Sequence, residues 1–146
     1  PERSARMSTT KDAVERDLPF SLHADTYVFP MNPLLGMYSA VNRLSYTGRE
    51  IFTTDYATDP ANVYAYKYRS VDQRITPMEA LRASTINGAY ENGEEDLTGS
   101  LEVGKRADMV ILAENPLAVD SMLIKDIRVL ETIVGGKTVY KAEGEN

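Results

Sequence analysis

Two residues near the start of the chain, His23 and Asp25, have the types and the spacing that suit catalysis or metal binding. His23 is the only histidine, and both residues stand at the end of the short apolar segment "LPFSLHAD", residues 18–25. Imidazole and carboxylate groups both bind divalent metals and both transfer protons. A zinc site needs three or four converging donors, so these two residues alone cannot complete one.

The alternation of the segment predicts a strand that presents both residues on one face. Because side chains alternate along a strand, Ser21, His23 and Asp25 lie on the same side, with Asp25 at the C-terminal tip. Catalytic groups are found at such tips in parallel barrels. Two plainer interpretations stay open. In the first, His23 is a hydrogen-bonded core residue. In the second, the side chain of Asp25 accepts hydrogen bonds from backbone N–H groups in the loop before Tyr27.

The composition excludes several other functions. The chain has no cysteine, which excludes disulfides, thiolate metal sites and a cysteine nucleophile. It has 22 acidic against 16 basic residues and a net charge of -6, without a basic stripe that would bind nucleic acid. No apolar stretch is long enough to span a membrane. Neither a nucleophile elbow nor a complete phosphate loop is present.

The length and the first residues bear on domain organisation. A chain of 146 residues suits one compact unit with a core of its own. It opens with "PERSARM", which has neither an initiator methionine at its first position nor the pattern of a signal peptide. This opening indicates the middle of a longer protein, and the missing signal predicts a cytoplasmic location.

Three helices are predicted from local patterns. A short surface helix is expected over residues 8–17, and the apolar spacing from Leu34 to Val41 predicts a helix packed on a core. The clearest signal is "TPMEALRASTING", in which Thr76 and Glu79 form a capping box. The predicted apolar stripe of this helix consists of Met78, Leu81, Thr85 and Ala89. Gly88 is predicted to break the helix near its end.

Beyond residue 98 the pattern changes to strands. "ADMVIL", "VLETIV" and "KTVYKA" are the predicted strands, with Gly135-Gly136 as a two-residue hairpin turn between the last two. These strands are too few for a complete sandwich and need partners. Between them and the first helices, residues 46–70 are polar and rich in tyrosine, and "VYAYKYR" alternates like a strand; packing or a subunit contact is the favoured role for those tyrosines.

Several stretches together resemble one family. "PFSLHAD", "FPMNPLLGMYSAVNR", "QRITPMEALRASTINGAYENG", "GSLEVGKRADMVIL", "ENPL" and "KDIRVLETIVGGKTVY" occur in the order found in the C-terminal part of metal-dependent amidohydrolases, and most resemble amidohydrolase family 3. The resemblance covers nearly the whole chain except roughly residues 46–70. The stretch "GSLEVGKRADMVIL" is shared across much of the superfamily and therefore says nothing about the substrate.

The resemblance implies an α/β fold in two parts. The chain would be the C-terminal fragment of a (β/α)8 TIM barrel together with strands of the accompanying small β-sandwich, the composite domain. Residues 1–97 would supply the last strand and helices of the catalytic barrel. Residues 98–146 would supply the β-sandwich segment. Residues 46–70 look longer than the family pattern needs and would form a hairpin over the barrel mouth or a subunit contact.

The resemblance also implies roles for the two opening residues. Family members take metal ligands from histidines or a modified lysine on earlier strands and from an aspartate on the last strand, and Asp25 matches that aspartate. Asp25 would then be both catalytic residue and metal ligand, and His23 a supporting residue whose loss mainly lowers stability. The cofactor implied is a divalent metal, with zinc favoured, and this chain alone does not complete its site.

Two functions follow as expectations. In the first, the complete protein is an amidohydrolase that hydrolyses a carbon–nitrogen bond other than a peptide bond in a small-molecule substrate, and the chain alone is inactive. In the second, the chain is a stand-alone module, without catalysis, that binds a partner through exposed apolar surface. A barrel strand without its neighbours exposes an apolar edge, so we expect contact with the remainder of the barrel or another subunit, and a homo-oligomer.

Overall fold

The computed structural model describes residues 9–144 except 27, 29, 46 and 49–71. The predictions for residues 46–70, including the strand "VYAYKYR", fall almost wholly outside the described residues. The elements described are α1 (Thr10–Val14), α2 (Pro33–Asn42), α3 (Pro77–Ala83), α4 (Ile86–Glu91), β1 (Met109–Leu112), a 3₁₀ helix (Ser121–Asp126), β2 (Val129–Val134) and β3 (Lys137–Lys141). Among these residues, no helix has the length and apolar character needed to cross a membrane.

Helix α2 forms because both of its ends are defined locally. The side chain of Asn32 accepts a hydrogen bond from the backbone N–H of Leu34 at 3.0 Å, and Pro33 occupies the first helical position. Arg43 ends the helix in the left-handed conformation, with φ of 57°. The helix buries Leu34, Met37, Tyr38 and Ala40. The predicted helix over residues 34–41 is therefore confirmed.

The capping box of α3 is present as predicted. The N–H of Glu79 donates to Thr76 Oγ1, and the N–H of Thr76 donates to Glu79 Oε2 at 2.6 Å. The predicted break at Gly88 is wrong, because the break falls at Ser84 and Thr85 and Gly88 lies inside α4. The hydroxyls of Ser84 and Thr85 donate to backbone carbonyls one turn earlier, which competes with helix continuation.

The buried face of α3 also differs from the predicted stripe. Ala80 and Ala83 are fully buried, whereas Met78 is 50% exposed. Leu81 packs partly buried against the core, and Ala89 of α4 is buried. Small alanine side chains let α3 approach α2 closely. The buried face of α3 is therefore formed by alanines that the predicted stripe did not include.

Substitution of Thr76 by alanine is expected to lower the free energy of unfolding by about 0.5–2 kcal/mol, because it removes the acceptor for the N–H of Glu79. Chemical denaturation of the variant measures this. Thr85→Ala is the matched control, since Thr85 precedes α4 without making a side-chain cap. Equal losses for the two variants would show that the capping box contributes nothing.

The three strands form one antiparallel sheet in the order β1-β2-β3. The predicted strands and hairpin are confirmed: Val134 pairs with Lys137, and Gly135 and Gly136 have φ of 56° and 77°, the positive values that a type I′ turn requires. The turn is tied to the start of β1, because the N–H of Gly136 donates to the carbonyl of Ala107 at 2.9 Å.

The core lies between α2, α3 and the 3₁₀ helix. Its buried members are Leu34, Met37, Tyr38, Ala40, Ile75, Ala80, Ile124 and Ile127. The 3₁₀ helix belongs to the predicted sandwich segment, yet Ile124 is fully buried in this core. A polar contact reinforces the junction, since Ser121 Oγ donates to Asn42 Oδ1 at 2.7 Å and Asn42 Nδ2 donates to the carbonyl of Ser121 at 3.0 Å.

The predicted strand over residues 18–25 is not formed. Residues 18–24 have no regular secondary structure, and Asp25 begins a turn. A parallel strand needs backbone partners on neighbouring strands. In the described part of the chain, the backbone N–H of Leu22 instead donates to the carbonyl of Ala83 in α3 at 3.2 Å. The segment therefore lies on helices, not in a sheet.

Candidate functional site

One cleft of the structure contains both residues singled out from the sequence. It has a volume of about 620 Å³, and its walls include His23, Asp25, Asn32, Ser39 and Arg43. These residues come from the irregular segment before the turn and from α2 with its two ends. The structure therefore brings His23 and Asp25 into one cleft, and Leu22 and Ala24, which the alternation placed on the opposite face, line it as well.

Asp25 lies at the tip of the segment with its side chain exposed. Its φ is 49°, in the left-handed region that aspartate tolerates better than most residues. Its backbone carbonyl accepts the N–H of Val28 at 2.9 Å, which closes a turn. This is a backbone contact, so it does not decide whether the carboxylate caps the loop. Tyr27, which that alternative invokes, lies outside the described residues.

His23 is also exposed, while Leu22 and Ala24 on either side of it are partly buried. Leu22 packs partly buried against the core, and its Cβ lies 3.6 Å from the position that a Cβ on Gly36 would occupy. The interpretation of His23 as a buried core histidine is therefore wrong for the described chain. Its supporting role stays a prediction.

Arg43 is a cleft residue that the sequence reasoning missed. It is only 5% exposed although it is charged, and burial lowers the pKa of its guanidinium while the negative charge of Asp72 opposes that shift. Asp72 is held ionised by Arg74, whose side chain donates to both carboxylate oxygens at 2.8 and 2.7 Å and keeps the pKa of Asp72 below its ordinary value. The only sequence signal was an arginine directly after an apolar helix.

The described residues do not by themselves fit a metal ion. Within the described part of the chain, no group of three or more His, Cys, Asp or Glu side chains converges. Asp25 is an exposed carboxylate facing a cleft, which suits one ligand of a divalent ion. The remaining donors of such a site would have to come from outside the residues that the structure describes.

Comparison with known proteins assigns the chain to a family. The model of the amidohydrolase family matches residues 1–140, so the chain belongs to the amidohydrolase family. The resemblance drawn from the motifs is confirmed.

Curated relatives match over part of the chain. N-substituted formamide deformylase of Arthrobacter pascens is 37% identical over 73 residues, which are 50% of this chain and 14% of that protein. Imidazolonepropionase of Geobacillus kaustophilus (strain HTA426) is 44% identical over 71 residues, 49% of this chain and 16% of that protein. The matched part thus spans less than a fifth of either relative.

One solved structure shares the fold. The structure of E. coli guanine deaminase matches 96% of this chain and 33% of its own chain, with a TM-score of 0.59 and 19% sequence identity. At that identity the likeness concerns the fold alone. The arrangement of helices and sheet described above therefore resembles part of the fold of that larger chain.

Proposed function

We propose that this chain is the C-terminal part of an amidohydrolase that hydrolyses a carbon–nitrogen bond other than a peptide bond in a small molecule. The observation that carries the proposal is the exposed carboxylate of Asp25 on the wall of the 620 Å³ cleft, in a chain that belongs to this family. The names of the relatives support carbon–nitrogen substrates such as an N-substituted formamide or an imidazolone.

In the complete protein, residues 18–25 form the last strand of a (β/α)8 barrel. The segment lacks strand partners in the described chain, and both edges of a barrel strand are paired only when its neighbours are present. Residues 1–97 then belong to the barrel and residues 98–146 to the small β-sandwich. The exposed strand β3 is consistent with a sheet that gains a further partner in the complete protein.

A divalent metal, with zinc favoured, belongs to the complete protein in this proposal, and Asp25 is the ligand that this chain supplies. When bound, such a metal lowers the pKa of a coordinated water and polarises the substrate carbonyl. The part of Asp25 is proton transfer. Its carboxylate accepts a proton as water forms the new C–O bond, and it returns that proton to the nitrogen as the C–N bond breaks.

A second candidate function is supported by the exposed apolar surface. Leu101, Val103 and Val139 are 75%, 109% and 63% exposed. Burial of these apolar side chains against another protein would remove them from water, which is favourable. The alternative is therefore a module without catalysis that binds a partner or a second copy of itself.

Mass, metal content and activity of the natural protein distinguish the two functions. We expect a polypeptide well above the 16.2 kDa of this chain, because the barrel alone takes about 250 residues. We also expect bound divalent metal and hydrolysis of at least one compound among N-formyl amines, imidazolones and amino-purines. A natural product of 16.2 kDa that lacks metal and leaves all of these compounds unchanged would support the binding module instead.

A further inference from the structure

The segment that carries Asp25 is held against α3 and α4 by three hydrogen bonds. Leu22 N–H donates to the carbonyl of Ala83 at 3.2 Å, Asn87 Nδ2 donates to the carbonyl of Phe20 at 3.0 Å, and Ser21 Oγ donates to Glu91 Oε2 at 2.6 Å. The partners on the helices are the carbonyl of Ala83 at the end of α3 and the side chains of Asn87 and Glu91, which are one turn apart in α4. The three hydrogen bonds together hold the segment on both helices.

Asn87 contributes one of these three hydrogen bonds. Phe20 and Leu22 pack partly buried against the core, so the Phe20 carbonyl has restricted access to water and needs a partner from the protein. An asparagine amide supplies a donor of suitable length without a charge. This donor fixes the Phe20 carbonyl on α4 and so helps to define where the residues that lead to Asp25 run.

The segment also packs against α2, through Leu22. A Cβ on Gly36 of α2 would lie 3.6 Å from Leu22 Cβ. Helix α4 is itself braced by Gly99, where an added Cβ would come within 2.8 Å of Ala89 Cβ and Ile86 Cα. The segment thus runs between two supported helices and ends at the exposed Asp25.

We propose that Asn87 is a positioning residue for Asp25, acting through the backbone of Phe20, and that the Ser21–Glu91 pair assists it. This inference rests on the proposed function, because it gives Asn87 an effect on turnover. Loss of the amide donor lets the segment shift along the helices. A carboxylate that must accept and return a proton within hydrogen-bond distance is sensitive to such a shift.

The test is Asn87→Asp in the complete protein, since aspartate has nearly the same shape and cannot donate to the Phe20 carbonyl. We expect kcat to fall about 10- to 100-fold, with KM changed less than about threefold. Hydrogen–deuterium exchange of residues 18–25 should become faster while that of β1–β3 is unchanged. Asn92→Asp is the matched control, because the side chain of Asn92, directly after α4, donates to the carbonyl of Gly88 in that helix at 2.9 Å.

Failure of this inference and failure of the proposed function give different results. If the wild-type protein hydrolyses nothing, the proposed function fails, and the exchange of residues 18–25 still decides whether Asn87 holds the segment. Equal kcat and equal exchange in the two variants would overturn the inference. If Asn87→Asp does not fold, Ser21→Ala replaces it. We then expect a smaller fall in kcat and faster hydrogen–deuterium exchange of residues 18–25. Unchanged kcat and unchanged exchange in Ser21→Ala would count against the proposal.

Discussion

Replacement of Asp25 by asparagine in the complete protein is expected to lower kcat by about 10²–10⁴-fold, the contribution of a positioned acid–base group. Asparagine has nearly the same shape as aspartate but is a far poorer proton acceptor, so the reaction loses the group that takes the proton from water and returns it to nitrogen. The side chain is exposed at the tip of its segment, and folding should therefore be little affected. Steady-state kinetics and a thermal melt measure the two effects.

Asp17→Asn is the matched control for this prediction. Asp17 is also exposed and also has a left-handed backbone, with φ of 51° against 49° for Asp25. The two substitutions thus make the same chemical change in the same backbone conformation, and only one of them faces the cleft. Turnover that is unchanged in Asp25→Asn, with the metal content and melting temperature of the wild type, would exclude Asp25 from the mechanism.

Truncation of Ile124 to alanine is expected to lower the free energy of unfolding of the chain by about 2–5 kcal/mol. Ile124 is fully buried, and it is the residue through which the 3₁₀ helix packs into the core formed by α2 and α3. Removal of its side chain loses apolar burial and leaves a cavity at the junction between the two halves of the chain. Urea denaturation measures the change.

Leu123→Ala is the control, because Leu123 lies next to Ile124 on the same 3₁₀ helix but is 52% exposed. Its truncation is expected to change the free energy of unfolding by less than about 0.5 kcal/mol, as is usual for surface positions. If the two variants were equally stable, the 3₁₀ helix would not be part of the core, and the two predicted segments would be stabilised independently.

The features predicted correctly from the sequence have causes that lie within a few residues. The capping box depends on Thr76 and Glu79, three positions apart, and the hairpin on two adjacent glycines. The bounds of α2 follow from Asn32, Pro33 and an apolar spacing of three and four. The family was also readable, because its motifs are continuous stretches of sequence.

The features that were predicted wrongly or missed depend on distant residues. The pattern of residues 18–25 predicts a strand, but a strand requires neighbours, and in the described chain the backbone groups of Leu22 and Phe20 bond to residues 61 and 67 positions away. For the same reason nothing near His23 indicated that it would be exposed. Nor did anything near Arg43 indicate that it would be buried close enough to Asp72 to feel its charge.

The sequence by itself therefore determined helix α2, the start of α3, the hairpin, the family and the choice of Asp25 as the residue to test. Only the tertiary structure decided that Asp25 and His23 share a cleft with Arg43, that Ile124 joins the core of α2, and that Asn87 binds the segment before Asp25. The physical reason is that capping and turn chemistry is complete within one turn of chain, whereas burial and long-range hydrogen bonds exist only after distant segments have packed together.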